Sequence, residues 1–158
     1  ALGGGTPSTL AFCVTGGRGD AEKDTLRNLR ETGECVVHLV SHAIAVQVNQ
    51  ASASYPPEVD EASAVGLTRV PSRYVRPSRI AESPAALECR VRTFVPLGET
   101  PGSTAWVIAE IVALHVAPSC LGADGLPDAA RLDLVSRLGR LEWARLRADD
   151  VFVLPRPG

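Results

Sequence analysis

The stretch KDTLRNLRETGECVVHLVS, Lys23 to Ser41, changes its period in the middle. In its first half Leu26 and Leu29 stand three apart, the spacing of one helical face. Asp24 reads as an N-cap and Thr25 as the first helical position. Gly33 stands where a helix ends in a left-handed residue. The pattern predicts a helix over 24–32. From Glu34 onward the residues run ECVVHLVSH, nearly continuous in apolar side chains, which reads as a strand. A short capped helix feeding a strand through one glycine is a local decision that neighbouring segments must accommodate.

Those neighbours read mostly as strands. Residues 8–16, STLAFCVTG, alternate and stop at a glycine pair. Residues 105–116, AWVIAEIVALHV, form a long strand apolar on both faces, as when both faces are covered. RYVRPSRIAESPAALECRVRTFVPL reads as two strands around the Glu82-Ser83-Pro84 turn. Between 43 and 67 a short helical piece, a Ser/Pro loop and a second short helix capped by Asp60 are expected. Near the C-terminus, Asp128 caps a helix predicted over 129–138 and broken at Gly139. DVFVLPRP then reads as a last strand stopped by proline. Many strands with few short helices predict a mostly β protein, a barrel or α+β sheet, and not a doubly wound fold. No repeat and no linker divides the chain, so residues 1–158 read as one domain.

The totals agree with a globular protein. The chain has 158 residues, 45% hydrophobic and 22% charged, with a formal net charge of −2. That balance gives no footing for nucleic acid. No apolar run reaches the roughly 18 residues of a membrane-spanning helix, and the first residues lack the pattern of a secretory leader. With no methionine in the sequence, the chain reads as processed or as a piece of a longer one. The cysteines at 13, 35, 89 and 120 form no close pair in sequence, which disfavours a zinc knuckle. Four free thiols in a reducing, cytoplasmic setting are expected.

The chain holds a single lysine, Lys23, among fifteen arginines. It lies at the predicted helix start, with Arg18 before it and Thr25 after it. A helix N-terminus presents unpaired N–H groups and partial positive charge, which suits a phosphate. Arg18, Lys23 and Thr25 therefore make a candidate anion cradle. A solvated helix start with two surface cations is the plainer account of the same residues. The Asp24 carboxylate opposes a phosphate unless it is turned away. No GxxxxGK[ST] or GxGxxG pattern is present, and no GxSxG. His38 and His42, four apart in one expected strand, would lie about 13 Å apart along it, too far for one metal. His115, at the end of an apolar strand, is read as half-buried and satisfied. The acids Glu58, Asp60 and Glu61 read as helix-capping groups.

Taken in order, the segments resemble one family. KDTLRNLRETGECVVHLVS is similar to the KDTlrNi…tgeFvVNlvs segment of the flavin reductase-like, FMN-binding split-barrel proteins. Downstream, YPPEVDEASAVGLTRVPSRYVRPSRIAESPAALECRV, VIAEIVALHV, SRLGRLEWARL and FVLPRP follow in the family's order, from about Pro7 to Pro157. The resemblance implies a split β-barrel, usually a homodimer, with FMN, or FAD as the other flavin, near the dimer interface. It implies an oxidoreductase passing reducing equivalents from NADH or NADPH to flavin. The flavin phosphate would fall on Arg18, Lys23, Asp24 and Thr25, and the turn carrying Arg137 would lie near the flavin.

Departures from the family pattern matter. Roughly 40–50 residues usually precede the position of Pro7 and supply strands and an aPfSfF-type stretch that holds the ring; this sequence does not show them. Cys35 and His38 replace the usual Phe and Asn, and Trp143 a common Tyr. The alternative implied is a truncated, non-catalytic dimerisation or ligand-binding module of the same fold that has lost FMN.

Overall fold

The computed structural model describes every residue except 1, 4–5, 16–21, 57, 101–102 and 158. Its strands and helices are, in chain order, β1 (Leu2–Gly3), β2 (Thr9–Val14), α1 (Asp24–Thr32), β3 (Glu34–His38), α2 (Ala45–Ala51), α3 (Glu61–Ala64), β4 (Arg69–Val70), β5 (Arg79–Ile80), β6 (Ala85–Pro96), β7 (Ala105–Val116), α4 (Ala129–Leu132), β8 (Val135–Gly139) and β9 (Glu142–Arg145). The main sheet has five strands in the order β1-β2-β7-β6-β3; β4-β5 and β8-β9 are two-stranded. The mostly β expectation with short helices holds.

The sheet is antiparallel wherever its bonds can be followed. β1 and β2 pair antiparallel, as do β2 and β7. β6 and β7 are joined by eight residues, too few for a parallel crossover, and the turn is closed by the Leu97 N–H donating to the Thr104 carbonyl at 2.8 Å. β3 lies on β6 with Val91 N–H donating to Gly33 and Leu39 N–H donating to Ala85.

The chain forms two compact units. The first comprises residues 1–37, 70–79 and 87–114, and the second comprises 38–69, 80–86 and 115–158. In the first, β2 and β7 interleave large with small side chains. Leu10 faces Ala109, Phe12 faces Val107 and Val14 faces Ala105. Alanine opposite Leu10 and Val14 leaves room for the larger partners, and helix α1 packs over the Val14–Ala105 end. That helix buries Leu26 and Leu29, on one face, against Val14, Ala105 and Val107. Burying each leucine stabilises by about 1.5–3 kcal/mol. α1 ends where expected: Gly33 has φ +66°, and its N–H donates to Leu29 at 2.9 Å. The outer face of β7 is less covered than its composition predicts, with Trp106 43% exposed.

The second unit packs Ala85, Cys120 and Leu132 with Leu39, Val116, Ala117 and Leu134. Asp128 caps α4 as expected, accepting from the N–H groups of Ala130 and Arg131 at 2.9 and 3.0 Å. The helix predicted over 129–138 stops after Leu132, however. Asp133 turns left-handed at φ +48°, and Val135 N–H donates to the Val40 carbonyl at 3.0 Å. Residues 135–139 therefore become β8, hairpinned to β9 with a bulge between Arg137 and Gly139. The strand expected in DVFVLPRP does not form. Residues 151–157 have no regular structure, and Phe152, Val153 and Leu154 are exposed. Pro155 and Pro157 remove two of the N–H donors such a strand would need.

Candidate functional site

The start of α1 differs in one position from the expected cap. Lys23, and not Asp24, is the N-cap residue, with extended backbone at φ −67° and ψ 141°. The Lys23 side chain makes no cap hydrogen bond to the helix. Asp24 instead forms an ion pair with Arg27, one turn along. That engagement settles where the Asp24 charge goes: it is spent along the helix surface. The first helical N–H bonds are those of Leu26 and Arg27, both to the Lys23 carbonyl, at 2.9 and 3.1 Å. The N–H groups of Asp24 and Thr25 thus sit in the first turn of the helix, where partial positive charge is concentrated.

Lys23 is positioned from outside its helix. Its ammonium donates to the Thr15 hydroxyl at 2.9 Å, just beyond the end of β2. The lysine thereby ties the β2 end to the α1 start, with the side chain exposed. Thr25 is exposed beside it. The structure brings Lys23, Asp24 and Thr25 together; Arg18 lies outside the described residues. A phosphate monoester fits this arrangement through one ammonium, one hydroxyl and the backbone N–H groups of Asp24 and Thr25 at the helix start.

Arg137 belongs to the second unit, on β8. Its side chain is exposed, and its guanidinium makes one long bond, 3.4 Å, to the Arg140 carbonyl. Beside this hairpin lies an open cavity of about 490 Å³ lined by Leu134, Val135, Ser136, Ala144, Arg145 and Leu146 with Asp150. Arg145 is fixed there by a two-bond pair to Asp133, at 2.6 and 2.9 Å. That pair holds the Asp133 carboxyl below its ordinary range.

The histidines follow their expected role in part. His38 Nε2 accepts the Ile80 N–H at 2.9 Å and is satisfied. His42 does not share its strand: β3 ends at His38 and His42 opens a 3-10 turn. Among the described residues no group of three or more His, Cys, Asp or Glu side chains could hold a metal.

Sequence reasoning missed Glu88. It is fully buried, and its carboxylate accepts the N–H groups of Arg73 and Tyr74 at 2.8 and 2.6 Å. It anchors the loop from Pro71 to Ser78 onto β6. The signal was a single acid in the apolar run AALECRV. Glu34 holds the same loop from its other side, accepting the Arg76 N–H at 2.9 Å.

Comparison with known proteins gives the family and the fold. The family model of the flavin reductase like domain matches residues 4–128, so the chain belongs to the flavin reductase-like family. A protein of Halalkalibacterium halodurans is 40% identical over 137 residues, covering 85% of this chain and 64% of that protein. The chain thus spans less than two thirds of that relative's length. Among solved structures, nitrilotriacetate monooxygenase component B from Bacillus cereus superposes with a TM-score of 0.86 at 28% identity, over 98% of this chain and 75% of that one. A flavin reductase with a split-barrel domain from Shewanella frigidimarina gives 0.83 at 24%, over 99% and 75%. The fold is the flavin reductase split barrel.

Proposed function

We propose that this chain binds FMN and works as a flavin reductase-like oxidoreductase, moving reducing equivalents from NADH or NADPH to flavin. The observation that carries the reading is the start of α1, whose N-cap residue is the chain's only lysine and makes no side-chain cap bond to the helix, in a member of this family. Lys23, Thr25 and the N–H groups of Asp24 and Thr25 hold the phosphate, with Arg18 as a further cation. A terminal phosphate monoester concentrates up to two negative charges on one phosphate, where each phosphate of FAD's pyrophosphate carries one, so this cradle favours FMN. Flavin, when bound, supplies the hydride-accepting chemistry; the protein supplies position and electrostatics. Asp24 contributes its backbone N–H while its carboxylate stays paired with Arg27. Arg137 is assigned to the flavin or nicotinamide site as a second contact.

A homodimer in the cytoplasm fits the same reading. Leu141, Phe152, Val153 and Leu154 are between 79% and 93% exposed, an apolar surface suited to a second copy. All four cysteines are free, as in a reducing compartment. No helix among the described residues is long and apolar enough to cross a membrane.

The test is nicotinamide oxidation by the purified chain with added FMN, for wild type and Arg137→Ala. We expect turnover in wild type. In the variant, flavin or nicotinamide affinity falls while the thermal midpoint stays nearly constant, because the side chain is exposed. Flavin binding without turnover would favour a non-catalytic ligand-binding module. An unaltered affinity would remove Arg137 from the site.

A further inference from the structure

Two of the four cysteines are brought face to face by the sheet. Val91 N–H bonds Gly33, and Leu39 N–H bonds Ala85. Both bonds keep one register between β3 and β6, in which 33 faces 91 and 39 faces 85. Counting inward two residues from the first bond places Cys35 directly opposite Cys89. In such a hydrogen-bonded antiparallel pair the Cα atoms lie about 5.5 Å apart, inside the roughly 4.4–6.8 Å that a disulfide spans. Both side chains join one apolar cluster with Leu10, Leu87 and Ala109, so they leave the same face of the sheet.

We propose that Cys35 and Cys89 form a redox-active dithiol site that hydroperoxides oxidise to a cross-strand disulfide. Cys35 is the attacking sulfur. It is half-buried, whereas Cys89 is fully buried. The thiols also differ in character. Hydrogen bonding with the facing Cys89 thiol holds the Cys35 thiol below its usual range. The facing Cys35 and burial push the Cys89 thiol up, and the Cys89 Sγ also donates to the Leu87 carbonyl at 3.5 Å. The reachable thiol is therefore the one that ionises more readily, the condition for peroxide attack.

The chemistry balances in two steps. Cys35 sulfur attacks one peroxide oxygen, the O–O bond breaks, and water (or an alcohol) leaves with a Cys35 sulfenic acid in place. Cys89 sulfur then attacks the Cys35 sulfur; the S–O bond breaks, and the hydroxyl leaves as water with the Cys89 proton. Two electrons pass from the two sulfurs to the two peroxide oxygens. An external dithiol reverses the bond by exchange. The site is independent of flavin binding, and its plainer alternative is that both thiols serve only as small hydrophobes in the core.

The structure supplies its own control. Cys120 is buried and free, alone in the second unit, with its Sγ donating to the Arg131 carbonyl at 3.4 Å. The experiment uses the full chain with Cys13→Ser, which removes the exposed thiol. Reduced protein is treated with a small excess of hydrogen peroxide, alkylated at intervals, and digested with trypsin. Cys35 falls in peptide 31–69 and Cys89 in peptide 80–90. We expect these two peptides joined, lighter by two hydrogens, and separated again by dithiothreitol. Their loss should run at least about tenfold faster than loss of Cys120, which is buried and has no second cysteine in its unit to resolve a sulfenic acid. Cys35→Ser should leave Cys89 free and no more reactive than Cys120. Cys89→Ala should leave a Cys35 sulfenic acid that dimedone traps; Cys35→Ser, at the less buried position, keeps the test decisive should Cys89→Ala not fold. Cys35 and Cys89 both remaining free while Cys120 reacts would overturn the proposal. So would oxidation of Cys35 to a sulfinic acid with Cys89 still reduced.

Discussion

The carboxylate of Glu88 accepts the backbone N–H of Tyr74 at 2.6 Å from a position with no solvent exposure. With the Arg73 N–H at 2.8 Å as its second donor, it replaces water for two groups that have no strand partner. Removing such an acceptor leaves a buried N–H unpaired, at a cost of about 1–3 kcal/mol. Glu88→Gln keeps the shape but can accept through one oxygen only. Its unfolding free energy should fall by that amount, lowering the urea midpoint with little change in slope. An unchanged midpoint would show that the loop from Pro71 to Ser78 is held by other contacts.

The acid limb of stability should come from a few carboxylates. The Arg76 N–H holds the Glu34 carboxyl below its ordinary range, helped by the Arg76 and Arg90 guanidinium groups. Thr68 lowers Glu82 and Arg145 lowers Asp133 in the same sense. A carboxyl depressed in the folded state is charged there while the unfolded chain takes up protons. Its contribution is complete above the ordinary carboxylate values of about 4 and is lost as pH falls through the folded values. The thermal midpoint should therefore hold between neutral pH and about 5 and drop below about 4. Glu34→Gln should lower it at neutral pH, and the two curves should converge in acid. A gap independent of pH would contradict the assignment to Glu34.

Much of this was legible in the sequence, and the misses share a cause. α1 and β7 fall on residues 24–32 and 105–116 as predicted, because period, glycine stop and length are local properties. The helix predicted through 138 was cut by partners far away in sequence. Arg145 grips Asp133 from twelve residues on, and Val40 accepts from Val135; local helix propensity yields to both. Asp24 was misplaced by one position because Arg27 competes for its carboxylate. Lys23 was singled out from its rarity, but its tie to Thr15 depends on where β2 ends. The pairing of Cys35 with Cys89 needs the β3–β6 register, which no spacing in the sequence reveals.

Self-association should follow from the exposed apolar side chains of the second unit. Leu141, Phe152, Val153 and Leu154 present side chains that water disfavours. Sedimentation at micromolar concentration should give a dimer, and Phe152→Asp with Val153→Asp should shift it toward monomer. A stable monomer in the unmodified chain would contradict the assignment of this surface to a second copy.

The central claim is that the start of α1 holds the FMN phosphate, and it predicts a difference between two ligands. Charge-assisted bonds of the kind Lys23 would make are worth about 1.5–3 kcal/mol. At about 1.4 kcal/mol per tenfold, Lys23→Ala should weaken FMN binding roughly 10–100-fold. Riboflavin has the same ring and ribityl chain without the phosphate, so its affinity should barely move. The direct measurement is a fluorescence titration of wild type and Lys23→Ala with each flavin. A loss confined to FMN is the result this account predicts; an equal loss for both flavins, or for neither, would contradict it.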